Sequence, residues 1–291
     1  MALHPTAALP ARTSPPPRCA LLWLLAALPG LALAQPSRPT DTVEPPPPDG
    51  RLTYALGGAL IAAPTYAGGS STDLKPRPLW ALRYGRLRLS GARSSGLLAR
   101  PGDAGSGASA DLIDEPRWRL GTSLRIDQGR NAGDDPALQG LPEIRRTLRG
   151  RLYASFDLAG RWSAGVGYGR DLLGRVGGGT ANAGLAYALP LAPGIDATLD
   201  LGLNLADGRY MRTYYGVTPE VAAATGRTAF TPRAGVMDWH LGLSARAPMG
   251  GRWTLIGGLG LSRLQGDAAA SPLTSTRTGA TATVALAWRS R

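Results

Sequence analysis

Between Ile195 and Asp207 the chain reads I-D-A-T-L-D-L-G-L-N-L-A-D, polar and apolar residues in strict alternation. A strand sends successive side chains to opposite faces, so this segment has one oily and one wet side. A dozen residues exceeds the usual strand of about 5–6. It suits the ~9–11 residues that a tilted strand needs to cross a bilayer. The alternation recurs to the end of the chain. An all-β fold follows: a closed antiparallel transmembrane β-barrel, since closure removes the edges that lipid does not tolerate.

The pattern predicts about twelve strands: Leu52–Ala62, Pro78–Tyr84, Leu87–Ala92, a short one at Ser95–Ala99, Arg117–Asp127, Thr147–Leu158, Trp162–Leu172, Thr180–Leu189, Ile195–Ala206, Val236–Ala247, Trp253–Leu264 and Thr278–Trp288. The count should be even. Ten is the alternative if Ser95–Ala99 and one neighbour do not pair. Short turns then alternate with long loops, except at Arg100–Pro116, a long Gly/Ser/Asp-rich segment that this count places in the periplasm.

The N-terminus carries its own signal. Arg12 and Arg18 precede the apolar run Cys19–Leu33, which ends in Ala32-Leu33-Ala34. Residues 1–34 are expected to be a signal peptide. Residues 35–50, with Pro45–Pro48, are expected to be a Pro-rich periplasmic lead, and 51–291 the barrel. Cys19 is the one cysteine, so the mature chain would have no thiol chemistry. Cleavage would lower the net charge from +12 to +10. The arginines are spread along alternating positions rather than gathered in a basic helix, so no nucleic-acid partner is expected. The charge suits a cationic lumen or anionic lipid and cell-wall polymer.

On the lipid face, Tyr54, Tyr84, Trp118, Phe156, Trp162, Tyr187, Trp253 and Trp288 fall beside the short turns or termini, and Trp80, Tyr168 and Trp239 near the opposite ends. Two aromatic girdles in contact with outer-membrane lipids are expected. Arg119, Arg125, Arg149, Arg151, Asp196, Asp200, Asp238 and His240 face inward; their mixed signs predict salt bridges across the lumen. Asp238, His240 and Ser244 share one face, but alternation alone puts three polar residues there. No catalytic, metal or cofactor site is expected, and no oligomeric state is legible.

Further motifs lie in the loops. Tyr210–Gly226 reads Y-M-R-T-Y-Y-G-V-T-P-E-V-A-A-A-T-G, and Ser262–Leu273 reads S-R-L-Q-G-D-A-A-A-S-P-L. Upstream stand Ala63-Pro64-Thr65-Tyr66-Ala67-Gly68-Gly69 and Gly140-Leu141-Pro142-Glu143-Ile144. Together these resemble the MipA/OmpV family of outer-membrane proteins, in which a Y-F/Y-G-V-T-P loop and an S-R-L-x-G-D-A-x-x-S-P loop are typical. The resemblance implies a non-enzymatic barrel. Its name-giving member is described as a scaffold linking a lytic murein transglycosylase to a penicillin-binding protein; others are discussed as adhesins or permeability proteins. It singles out Tyr66, Tyr210, Tyr214, Tyr215, Gly216, Val217, Pro219, Asp267, Ser271 and Pro272 as loop or interaction residues. Aromatic residues are unusual in a solvated loop, so Tyr210–Gly226 either plugs the barrel mouth or forms a binding surface. Family members usually finish on an aromatic assembly signal. Here Trp288 keeps lipid-facing parity and would serve, followed by the short tail Arg289–Arg291.

Overall fold

A computed structural model describes residues 52–91, 107–175 and 177–290. Twelve strands form one closed barrel: β1 Leu52–Pro64, β2 Thr72–Tyr84, β3 Leu87–Ser90, β4 Gly107–Asp114, β5 Trp118–Asp127, β6 Thr147–Asp157, β7 Trp162–Asp171, β8 Gly179–Ala192, β9 Ile195–Ala206, β10 Gly235–Pro248, β11 Trp253–Leu264 and β12 Thr278–Arg289. Each pairs antiparallel with its sequence neighbours, and β12 closes on β1. Twelve residues in β9 extend ~40 Å. At a tilt of ~40° they rise about 30 Å, enough to cross hydrocarbon. No helix among the described residues is long and apolar enough to do so.

Alternation sorts the wall. Leu56, Leu201 and Leu286 are 52, 54 and 43% exposed on the outer face, whereas inward Ala55 and Ala287 are fully buried. Of the aromatic positions, Trp118 pairs with Phe156, Trp162 with Tyr187 and Trp253 with Trp288 in register at the turn end. That is a girdle at the turn end. Tyr168 and Trp239 lie towards the loop ends of β7 and β10. Trp80 does not: it sits four residues from the turn end of β2, so it belongs nearer the first belt.

Three expectations need correction. The fourth strand is Gly107–Asp114, inside the expected long segment Arg100–Pro116; Ser95–Ala99 lies outside the described residues. G-A-S-A-D-L-I-D hides its alternation behind small residues and a register shift between Asp111 and Ile113. The β4–β5 connection therefore shrinks to Glu115–Arg117 at the turn end. Ser90 and Gly107, the described residues that pair last between β3 and β4, lie at the end of these strands away from the β4–β5 turn. The second correction concerns β2, which begins six residues early, at Thr72. The third concerns the tail. Arg289 is the last residue of β12, and Ser290 exchanges hydrogen bonds with the backbone of Tyr54, each 2.8 Å. It is a rung of the barrel seam rather than a free end; Arg291 lies outside the described residues, as do the expected signal peptide and Pro-rich lead.

Candidate functional site

The bore is lined by side chains that lie along the wall. The expected cross-lumen salt bridges are not what forms among the described pairs: ion pairs join neighbouring strands. Arg88 meets Asp111 at 2.6 Å, Arg149 meets Asp127 at 2.7 Å and Arg119 meets Asp114 at 3.9 Å. Inward glycines supply the room. The Tyr153 ring covers Gly121, the Arg151 guanidinium covers Gly167, His240 covers Gly202 and Asp200 covers Gly242. A Cβ at any of these four would collide with its neighbour's side chain. Arg151 reaches Asn182 at 2.7 Å and leans over the Tyr153 ring, 5.9 Å to the centroid. Arg125 and Asp196 also face inward, half-buried and exposed.

Asp238, His240 and Ser244 do not converge into an acyl-transfer triad. His240 stands 3.9 Å from both Asp238 and Asp200. Ser244 is four strand residues further along, ~13 Å away at the rise of an extended chain, far beyond the reach that proton transfer requires.

The motif residues converge instead at the loop end. The β9–β10 connection folds into two helices, α1 Gly208–Tyr215 and α2 Pro219–Thr225. The β11–β12 connection adds α3 Gly266–Ala270. Asp207 starts α1 by accepting from the Tyr210 N–H at 2.7 Å; Thr218 starts α2, with Pro219 in its first turn, where a missing N–H costs nothing. Gly216 ends α1 with its N–H on the Arg212 carbonyl, and a Cβ there would strike that same carbonyl.

Two small cores hold these pieces. Met211, Tyr215, Leu264 and Ala268 pack against Ala206 at the end of β9. Leu138, Leu141, Val217 and Leu273 form the other, with Tyr66, Val221 and Phe230 alongside. Four loops thus become one cap. Polar bonds reinforce it: Tyr66 donates to the Leu273 carbonyl at 3.0 Å, Ser271 to the Tyr215 carbonyl at 2.7 Å, and Thr65 to Asp135 at 2.7 Å. Val217 and Phe230 exchange backbone bonds. Asp267 accepts the Arg233 N–H at 2.8 Å, which holds its carboxyl below the usual range. Pro272 is exposed beside buried Ser271. Tyr214 and Tyr210 stack at 4.4 Å, and the Arg149 guanidinium lies 5.0 Å from the Tyr210 centroid. Burial raises the pKa of Tyr214 and Tyr215, so both hydroxyls stay protonated at physiological pH.

The motifs did not point to Arg130, Asp135 or Arg227. Arg130 donates to the Tyr214 carbonyl at 2.8 Å, and Arg227 to the carbonyls of Gln139 and Ala137 at 3.1 and 2.7 Å. Asp135-Pro136, a capping residue before proline, was the available sign of a turn there.

The family model of MltA-interacting protein MipA matches residues 56–290. This chain belongs to the MipA family. The four segments that build the cap all fall within the matched span. No curated protein matches the chain closely enough to count as a relative. Among solved structures, this MipA-family barrel is similar to an outer-membrane channel of Pseudomonas putida F1, at 13% identity over 84% of this chain and 96% of that one, TM-score 0.40. It is also similar to the Ralstonia pickettii toluene transporter TbuX, at 12% identity over 84 and 90% of the two chains, TM-score 0.39. The outer membrane channel DcaP of Acinetobacter baumannii matches at 10% identity over 83 and 97%, TM-score 0.38.

Proposed function

We propose that this MipA-family protein is a non-enzymatic outer-membrane barrel that docks periplasmic cell-wall enzymes, a lytic transglycosylase first and a penicillin-binding protein with it. The observation that carries this reading is the interlocked cap. The outer loops direct their apolar side chains and much of their hydrogen bonding at one another, so they interlock over the barrel. A barrel closed on that side suits an anchor better than an open pore. The family's name, an MltA-interacting protein, supplies the partner class. A chain exported by residues 1–34, with the Pro-rich lead 35–50 on the periplasmic side, would present an extended recruiting segment. Strand β4 and the barrel seam take up part of the segment Arg100–Pro116 and of the tail, so the proposed recruiting segment is the lead alone.

Crosslinked pull-down from cell envelopes tests the reading. Recovery of murein hydrolases or synthases, lost on deletion of residues 35–50, supports it; a pull-down without cell-wall enzymes overturns it.

One observation favours a second reading, a gated solute channel. Side chains of Tyr153, Arg151, His240 and Asp200 lie over inward glycines along the wall. Large, stable conductance in planar bilayers that rises when Gly208–Thr228 is deleted would favour the channel. An adhesin that uses the tyrosines of Tyr210–Gly226 has less support, because Tyr215 is buried and Tyr210 and Tyr214 are half-buried within the cap.

A further inference from the structure

A cleft of about 710 Å³ opens between the β5–β6, β7–β8 and β9–β10 connections, and Arg130, Arg145, Arg175, Arg209 and Arg212 line it with Glu143 as the one carboxylate. That volume falls within the ~300–1,000 Å³ typical of small-ligand sites. Five guanidinium groups against one carboxylate leave four uncompensated charges in one concavity. No described carboxylate forms an ion pair with any of the five; the described pairs lie elsewhere in the barrel and cap.

The arrangement is built rather than incidental. Arg130 is 8% exposed and donates to a backbone carbonyl, that of Tyr214. Burial lowers its pKa, the direction expected of a cation taken out of water without an anionic partner. Arg175 is oriented by its bond to the Arg146 carbonyl at 2.7 Å. Arg209 and Arg212 stand three residues apart on α1, hence on one helix face. Met211 and Tyr215, on another face, are buried in the cap, which fixes the helix. Leu141, Ile144 and Val221 give the cleft an apolar side.

Guanidinium presents planar forks that match phosphate and carboxylate oxygens bidentately, and charge-assisted bonds of this kind are the strong ones. We infer that this cleft binds a compact ligand carrying two or more phosphate groups, its body resting on the apolar side. None of the described lining residues is aromatic, so the cleft does not suit the stacked bases of a nucleic acid. Phosphates of that density come from two sources, a free polyphosphorylated solute or the phosphorylated headgroup of an outer-leaflet lipid.

The test uses the full mature chain refolded in detergent, with binding followed by isothermal titration. The probes are sodium tripolyphosphate and nanodiscs containing lipid A, against maltose and nanodiscs of phosphatidylcholine. Saturable binding of tripolyphosphate, of lipid A or of both is expected, and the winning probe identifies the source. Arg209→Gln with Arg212→Gln should weaken it roughly tenfold or more, since each lost charged hydrogen bond is worth about that much. Both side chains are exposed, and heat-modifiable gel migration verifies that the double variant still folds. Arg161→Gln, at the opposite end of the barrel, should leave affinity unchanged. Absence of saturable binding, or an equal loss in the Arg161 variant, overturns the site and leaves only the attraction of a basic protein for anions. Neither result bears on the enzyme-docking role, which the pull-down reads separately.

Discussion

The hydroxyl of Tyr214 donates to Oδ2 of Asp127 at 2.9 Å, and Arg149 donates its Nε to the same oxygen at 2.7 Å. One carboxylate at the end of β5 therefore ties a helix of the cap to the wall. We predict that Tyr214→Phe loosens α1 by about 1–2 kcal/mol, the value of a hydrogen bond to a charged group in a partly exposed setting. Amide exchange in α1 should speed up about 5–30-fold. Unchanged exchange would show that apolar packing alone holds the helix.

The cap's apolar core should matter more. Met211 is 1% exposed among Tyr215, Leu264 and Ala268. Met211→Ala is expected to cost the cap about 2–4 kcal/mol through lost transfer energy and a residual cavity. Trypsin would then cut at Arg209 or Arg212 while the barrel keeps its heat-modifiable migration. Resistance to cleavage equal to the parent would count against the plug.

A wall prediction concerns Gly202. A Cβ there would come within 2.6 Å of His240 Cε1. Gly202→Ala should push the imidazole into the bore at a cost of about 1–3 kcal/mol. The His240 ring resonances in detergent would shift, and the urea midpoint of unfolding would fall. An alanine tolerated with an unmoved imidazole would refute the flat-lying arrangement.

The Thr65 hydroxyl, followed by the Ala137 N–H, holds the Asp135 carboxyl below its ordinary value. The folded pKa is depressed, so the stabilisation is present above the unfolded value of about 3.9 and is lost as pH falls through the folded value. This clasp between the β1–β2 and β5–β6 connections should hold from pH 8 to 5 and loosen below about 4. Since Cys19 is the one native cysteine, spin labels at Ser70 and Gln139 of the mature chain report the distance. A distance that changes between pH 5 and 7 would contradict the assignment.

Much of the barrel was legible because alternation is a local signal. The expected Ile195–Ala206 and Trp253–Leu264 match β9 and β11 residue for residue. The first half of β2 was hidden by Pro76 and Pro78. Its geometry explains why they are tolerated. The Trp80 carbonyl accepts from Gly91, so even-numbered backbone groups of β2 face β3. Among the described residues β3 reaches only as far as Ala81 and Ser90 in register. The N–H groups that the two prolines lack thus point where no described strand needs them. The cap was legible only as motifs. Which loop touches which depends on contacts such as Thr65 to Asp135, seventy residues apart, and no periodicity encodes these.

Five of the cap's polar clasps share one trait. Tyr66, Arg130, Arg227, Ser271 and Thr274 each donate to a main-chain carbonyl, of Leu273, Tyr214, Gln139 with Ala137, Tyr215 and Ala268 respectively. A carbonyl is present whatever side chain its residue carries. The donors are therefore constrained in identity, while an acceptor such as exposed Gln139 is constrained only in backbone position. The outward-facing skin of this lid can change its chemistry from one variant to the next while its architecture stays the same.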